Sequence, residues 1–371
     1  TLNYNTTIGK HAIDVLAGTE AIRYYSEFFT AYRDNFPVDI LDGRYLDAGQ
    51  GLPKNTGSGI KSTLFSLFAK ANYTYNDRYL FSATVRRDAS SKLADGYNTQ
   101  VFPAFSAGWR LSEEDFIKNS LPFVSNMKLR FGWGQTGNQE IAAYAAYSSF
   151  GLDLYNTTYD MNGSNTSSVP GIAQKRYGND QLKWETTTQT NIGLDLGLFN
   201  ERVTFTADYF NKDTKDLLVQ PKQPAVFGQA AAPYINGGSM NNTGVEIAVN
   251  YLSNRDNAFR FEIGGNIAFI KNKLTSLTGD ISYISSPASN NLSRGLELQR
   301  TSIGQPIASF YGHQVVGIFK TAEEVANSAT QTGKGIGRIR YADLNGDNVI
   351  NADDRTFLGS PIPTITYGIN L

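Results

Sequence analysis

The segment Asp343-Leu344-Asn345-Gly346-Asp347-Asn348-Val349-Ile350-Asn351-Ala352-Asp353-Asp354 sets side-chain oxygens at the first, third, fifth, ninth and twelfth places of a twelve-residue loop, with the Val349 carbonyl at the seventh. A hard cation such as Ca²⁺ needs six or more oxygen ligands, and this spacing wraps them round one centre. The candidate ligands are therefore Asp343, Asn345, Asp347, Val349, Asn351 and Asp354, and Ca²⁺ is the one cofactor the sequence offers. Asn348 stands at the sixth place instead of Gly, and Asp354 at the twelfth instead of Glu. Asn enters the left-handed backbone region more readily than most residues, and Asp can still ligate with a shorter reach. The competing reading is a polar Asn-Gly turn with solvated carboxylates.

Other reactive chemistry is sparse. Cys is absent, which removes disulfides, thiolate metal sites and cysteine nucleophiles together. His11 and His313 are the only histidines, so any Ser-His-Asp arrangement would have to use one of them. Glu113, Glu114 and Asp115 look like the solvated start of a helix. The Gly-rich run from Lys334 to Arg338 lacks the helix that a phosphate loop needs after it. The chain is expected not to be an enzyme. Tyr144, Tyr147, Tyr155 and Tyr159 are the candidates for substrate contact, because sugar rings and peptides both pack on aromatic faces; the alternative is that the loop packs on itself.

The 33 basic and 34 acidic residues nearly cancel, which leaves no field to hold a polyanion, so nucleic acid is not expected as a partner. No run of about 18 apolar residues exists to form a transmembrane helix. A transmembrane barrel, however, hides its apolar residues at alternate positions.

Period two dominates the chain. Ile192, Leu194, Leu196 and Leu198 alternate with Asn191, Gly193, Asp195 and Gly197; Val203, Phe205, Ala207 and Tyr209 alternate with Thr204, Thr206 and Asp208. The same alternation marks strands from Leu67 to Tyr75, Tyr79 to Arg86, Phe102 to Leu111, Lys128 to Trp133, Val245 to Tyr251 and Phe259 to Phe269. All of these runs but Lys128 to Trp133 exceed the five or six residues usual in soluble proteins, and the longer ones suit a tilted membrane crossing of about 9 to 11 residues. Aromatic residues such as Tyr73, Tyr79, Trp109, Trp133, Trp184 and Tyr209 are expected at strand ends, where interfacial girdles belong.

Connections alternate between tight (76–78, 200–201, 253–257) and long (36–59, 88–100, 136–183, 215–238), as in outer-membrane barrels with short periplasmic turns and long external loops. The link 112–125 is of medium length with a helical look. Adjacent Phe310-Tyr311 and Val315-Val316 break the alternation, so 271–361 reads as one extracellular excursion with a small hairpin and the EF-hand-like loop 343–354, before a last strand from Ile362 to Leu371. The fold class is all-β: an antiparallel transmembrane β-barrel of about eleven strands, the whole of 1–371 forming part of it. An odd number of strands does not close a bacterial barrel, so further strands are expected outside this sequence.

The blocks AKANYTYNDRYLFSATVRRDASSK, FPAFSAGWRLSEEDF, KLRFGWGQTGNQ, LKWETTTQTNIGLDLGLFNERVTFTADYFNKDTKDLL, SMNNTGVEIAVNY and YADLNGDNVINADDRTFLGSPIPTITYGINL cover most of the chain in order. Together they resemble the central and C-terminal barrel of SusC/RagA-type TonB-dependent transporters. The resemblance implies a plugged 22-stranded barrel, of which this would be about half. It further implies the outer membrane of a Gram-negative bacterium, a missing plug that contacts TonB, a SusD-like surface lipoprotein acting as a lid, and import of oligosaccharides or peptides. The alternative is a surface adhesin or glycan-binding β-rich protein without transport, which would place its polar face outward and need no detergent.

Overall fold

The computed structural model describes residues 1–38, 40–152, 158–160, 163, 168–221, 226, 228, 230–254, 259–279, 281–285 and 297–371. Eleven antiparallel strands form one sheet in which each pairs with its neighbour along the chain: Leu2–Ile8, His11–Tyr32, Lys54–Tyr75, Tyr79–Ser90, Thr99–Arg110, Val124–Asn138, Glu185–Leu198, Val203–Lys215, Gly238–Leu252, Glu262–Leu277 and Ile365–Asn370. The two edge strands do not pair with each other, so the sheet is open.

Register carries the sequence alternation across the whole sheet. Thr6, Ile13, Tyr73, Phe81, Ala107, Phe131, Ile192, Tyr209, Val245, Phe269 and Ile365 stand opposite one another in turn, one on each strand. The next row holds Asn5, Asp14, Asn72, Ser82, Ser106, Gly132 and Asn191. Successive side chains of a strand point to opposite faces, so one face is apolar and the other polar. The apolar face is not packed against anything: Ile192 is 52% exposed, and Phe81, Phe105 and Phe269 are exposed as well. A water-soluble sandwich would bury that face. A bilayer accounts for it.

The tightest links, 9–10, 76–78 and 199–202, all fall at one end of the sheet, while the link 91–98 at the other end is shorter than the expected 88–100. Asn76 and Asp77 take left-handed backbone in one turn, as do Phe199, Asn200 and Glu201 in another. A bulky Phe in that region is strained, and neighbouring backbone holds it: Phe199 N donates to the Phe123 carbonyl, Asn200 N to Ser125 Oγ, and the Phe199 ring stacks on Phe123. The 112–125 link contains the expected helix, Asp115–Ser120. Tyr75, Tyr79 and Trp109 stack at this same end, and Tyr251, Phe259 and Phe261 meet there in tilted pairs, which is where a periplasmic girdle belongs.

Several boundaries differ from the sequence reading. His11–Tyr32 and Lys54–Tyr75 run 22 residues each, so their loop is shorter than 36–59 and their upper halves exceed a membrane crossing. Glu262–Leu277 carries the sheet past residue 271, so the excursion starts later. It holds a four-stranded sheet of Tyr283–Ser285, Gln299–Ser302, Ser309–His313 and Arg355–Gly359, and a separate two-stranded pair, Val315–Ile318 with Ile339–Tyr341. The doubled residues that broke the alternation are register shifts inside these strands, between Phe310 and Tyr311 and between Val315 and Gly317. Trp184 is not in a girdle: it is buried against Phe102, and its Nε1 donates to the Asn98 carbonyl. Trp133 and Tyr209 lie within strands because those strands run on beyond them.

Candidate functional site: polar wall, loop mouth and acidic loop

The polar face is wired by charge-assisted hydrogen bonds between strands. Arg130 Nε and Nη2 donate to both oxygens of Asp195 at 2.8 Å, and Nη2 also reaches Asp208 at 2.9 Å. Gly193 stands between Arg130 and Asp208 in the register, where any Cβ would collide with both side chains. Arg86 likewise bonds to Glu20, Asp88 and Ser66. Asn250 meets Glu262 on the same face, whereas the cluster in which Asn241 joins Asn211 to Asp213 stands in the register of Tyr209 and Val245, on the outward face. Polar groups in this density need water or a polar body opposite them. The alternation had placed Asp195 and Asp208 on this face; Arg130 was missed, although counting along Lys128 to Trp133 puts it there.

At the end opposite the short turns, loop residues pack on the sheet. Leu93, Ala94, Phe102, Ile141, Ala145, Ala146, Leu182 and Trp184 form a buried cluster. Tyr144 and Tyr147 flank it in one turn and are both exposed; the Tyr144 hydroxyl accepts from Lys61 N at 3.2 Å, and the Tyr147 hydroxyl donates to Asp95 at 3.3 Å. Tyr144 has φ of 61°, left-handed for an aromatic residue, and Arg176 donates to its carbonyl at 2.7 Å. Tyr155 lies outside the described residues. Tyr159 belongs to the short strand Thr158–Asp160, but its side chain is outside them too.

The acidic loop folds on itself as the sequence spacing anticipates. Carboxylate oxygens of Asp343, Asp347 and Asp354 lie within 4.8 Å of one another. Asp343 accepts from Gly346 N and Asn348 N, Asn345 from Asp347 N, Asp347 from Val349 N, and Asp354 from Leu344 N and Asn351 N. Asn348 takes φ of 64°, the left-handed conformation that a loop of this kind needs at its sixth residue. Asn351 caps the turn 352–354 and its carbonyl meets His313 Nε2 at 2.6 Å. Asp354 is fully buried, and those backbone donors hold its carboxyl below the usual carboxylate range despite burial. Each carboxylate oxygen has two lone pairs, so the donors already engaged leave acceptor capacity facing the centre. The donor set fits a hard cation. Of the six predicted ligands the structure brings the Asp343, Asp347 and Asp354 carboxylates together; the Asn351 amide nitrogen donates to the Val349 carbonyl at 3.5 Å while its Oδ1 accepts from Asp353 N.

Both histidines are engaged elsewhere: His11 Nδ1 meets the Tyr73 hydroxyl at 2.8 Å, and His313 meets the Asn351 carbonyl and the Tyr341 ring. Among the described residues, neither makes a hydrogen bond with a serine hydroxyl or a carboxylate. The Gly-rich run before Arg338 is followed by the strand Ile339–Tyr341, not by a helix.

The TonB dependent receptor-like, beta-barrel family matches residues 1–358. The chain is 30% identical over its full length to TonB-dependent receptor P3 of Formosa agariphila, covering 36% of that protein. It is also 30% identical over 99% of its length to TonB-dependent receptor SusC of Bacteroides thetaiotaomicron, covering 35% of it. The chain thus spans about a third of the length of the curated relatives it matches. Its fold superposes on a structure of the RagAB peptide transporter with a TM-score of 0.79 at 24% identity, over 99% of this chain and 38% of that one. These receptors lie in the outer membrane of Gram-negative bacteria, so the apolar face meets lipid and the polar face lines the barrel interior. The chain belongs to the TonB-dependent receptor β-barrel family.

Proposed function

We propose that the whole receptor imports oligosaccharides or peptides across the outer membrane, driven by TonB through a plug that fills the barrel and gated by a SusD-like surface lipoprotein. The observation that carries this reading is the polar face, where Arg130, Asp195, Asp208 and Glu246 are arranged for contact with water or a polar plug. RagAB, a peptide transporter by name, shares the fold, and SusC is a sequence relative; neither selects between sugar and peptide for this chain. Tyr144 and Tyr147, exposed in the loop mouth, are the proposed substrate contacts. Exposed Val315, Val316, Ile318, Ile336 and Ile339 in the excursion give the lid an apolar surface to close on. Ca²⁺ held by Asp343, Asn345, Asp347, Val349, Asn351 and Asp354 would order that excursion. The decisive experiment is uptake of labelled oligosaccharides and peptides by cells carrying the full-length receptor with or without its TonB-contacting segment. Loss of uptake on deletion supports the proposal; persistence points to a passive pore or an adhesin.

A further inference from the structure

The hairpin of His11–Tyr32 and Lys54–Tyr75 outruns both of its neighbours. It stays in unbroken register from His11 opposite Tyr75 to Tyr32 opposite Lys54, whereas Leu2–Ile8 reaches only to Ala17 and Tyr79–Ser90 ends opposite Leu64. A membrane crossing takes about 9 to 11 residues, so the part from Ile22 to Tyr32, paired with Lys54 to Leu64, is a two-stranded ribbon on the extracellular side.

Strand alternation continues up the ribbon. Glu20, which reaches Arg86 on the interior face, is followed on that face by Ile22, Tyr24, Ser26, Phe28 and Thr30. The residues paired with them, from Leu64 up to Thr56, are uncharged too. Arg23, Glu27 and Lys61 all lie on the opposite face. One side of the ribbon is therefore neutral and continuous with the wall of the barrel interior.

Tyr24 is 53% and Phe28 58% exposed, and each stands opposite a serine, Ser62 and Ser58, too short to cover its ring. Tyr32 is exposed as well, but Lys54 Nζ lies over its ring at 5.6 Å. The two open rings are four residues apart, about 13 to 14 Å at roughly 3.4 Å per residue, with Ser26 between them. Exposed apolar surface of this kind on a two-stranded ribbon marks a binding face. A pyranose offers an apolar C–H face to an aromatic ring and hydroxyls to serines, and it carries no charge that needs a partner. The ionised groups of a peptide would be desolvated here with no opposite charge to meet them.

We infer that Tyr24 and Phe28, with Ser26, Ser58 and Ser62, bind a neutral oligosaccharide and lead it toward the barrel interior, a reading that rests on import and narrows its cargo to glycan. The test is equilibrium binding by the purified full-length receptor. Linear hexasaccharides of glucose, xylose, mannose and galactose are the neutral probes, with hexagalacturonate and a mixed peptide pool beside them. At least one neutral hexasaccharide should bind, and Y24A/F28A should weaken it at least about tenfold while Y24F/F28Y keeps most of the affinity. Y25A/F29A, which removes two exposed rings from the charged face, should bind as wild type does. No binding of any neutral hexasaccharide overturns the proposal, and so does equal binding by wild type and Y24A/F28A, or an equal loss in Y25A/F29A. The same dependence on Tyr24 and Phe28 for hexagalacturonate or the peptides overturns it too. Binding is read without TonB, so a receptor that binds sugar but imports nothing fails the import reading alone. Heat-dependent gel mobility checks that each barrel is folded; should Y24A/F28A fail it, Tyr24→Ala and Phe28→Ala are read singly, each with a smaller loss expected.

Discussion

Arg130 grips Asp195 through two parallel hydrogen bonds of 2.8 Å and, with the same Nη2, holds Asp208 on the following strand. One guanidinium thus ties three consecutive strands on the interior face, and Gly193 supplies the gap through which it passes. Two carboxylates without Arg130 would repel each other across that gap. Arg130→Met is expected to lower barrel stability by about 1 to 2 kcal/mol, near the low end for such a pair because all three side chains keep some solvent contact. Urea unfolding of the full-length receptor in micelles measures it; an unchanged midpoint would show that the interior network adds nothing to stability.

Depth along one strand separates two substitutions that sequence alone treats alike. Leu196 looks central within the alternating run 190–198, yet Glu185–Leu198 is longer at its other end, so Leu196 lies two residues from the short turn and Ile192 lies nearer the bilayer midplane. Ile192→Arg is therefore expected to cost about 2 to 4 kcal/mol, and Leu196→Arg about 0 to 1. Folding of each variant into vesicles, followed by denaturant titration, checks the order; equal costs would contradict the membrane placement.

The same contrast explains what could be read from residues. Spanning strands announce themselves because each has one face in lipid and one in a polar interior, which forces period two, and because tight turns such as 76–78 select Asn and Asp for left-handed backbone. Strand ends were less legible: where strands leave the membrane, the apolar requirement lapses, so Lys54, Asn55 and Thr56 pair with Tyr32, Ala31 and Thr30 without any alternating signal. Trp184 looked interfacial because aromatics at strand ends usually are, but loop residues far away in sequence, Leu93 and Ile141 among them, close over it. The excursion's four-stranded sheet escaped notice because its strands are only three to five residues long and the register shift at Phe310 erases the period that would have revealed them. In the acidic loop, residue spacing anticipated the approach of Asp343, Asp347 and Asp354 because all three lie within one twelve-residue stretch.

Glu114 gives the periplasmic end a pH-dependent clamp. It accepts from the Tyr79 hydroxyl at 2.7 Å, Trp109 Nε1 at 3.0 Å and Arg78 at 3.0 Å, and these donors hold its carboxyl below the ordinary glutamate range. A folded-state pKa lowered in this way contributes stability that is fully present above the ordinary value, and it is lost as pH falls through the depressed one. Melting curves of wild type and Glu114→Gln receptors, taken from about pH 7 down to about pH 3, should therefore converge on acidification. A gap that stays constant with pH would assign the clamp to shape and not to charge.

Asp347 is the place to test the calcium loop, because it can be changed without removing the loop's scaffold. Asp354 is buried with both oxygens bonded to backbone N–H groups, so its loss would unfold the turn whether or not a metal binds. Asp347 is exposed, and besides Val349 N and the Asn345 amide it is free to turn toward the Asp343 and Asp354 carboxylates. Calorimetric titration of the full-length receptor should show calcium binding that Asp347→Ala abolishes. Chelation should speed proteolytic cleavage within the excursion while leaving barrel melting unchanged, since the loop lies outside the eleven-stranded sheet. Absence of both binding heat and protection at about 1 mM calcium, weaker than the sensor range and typical of extracellular modules, would leave 343–354 a self-bonded polar turn.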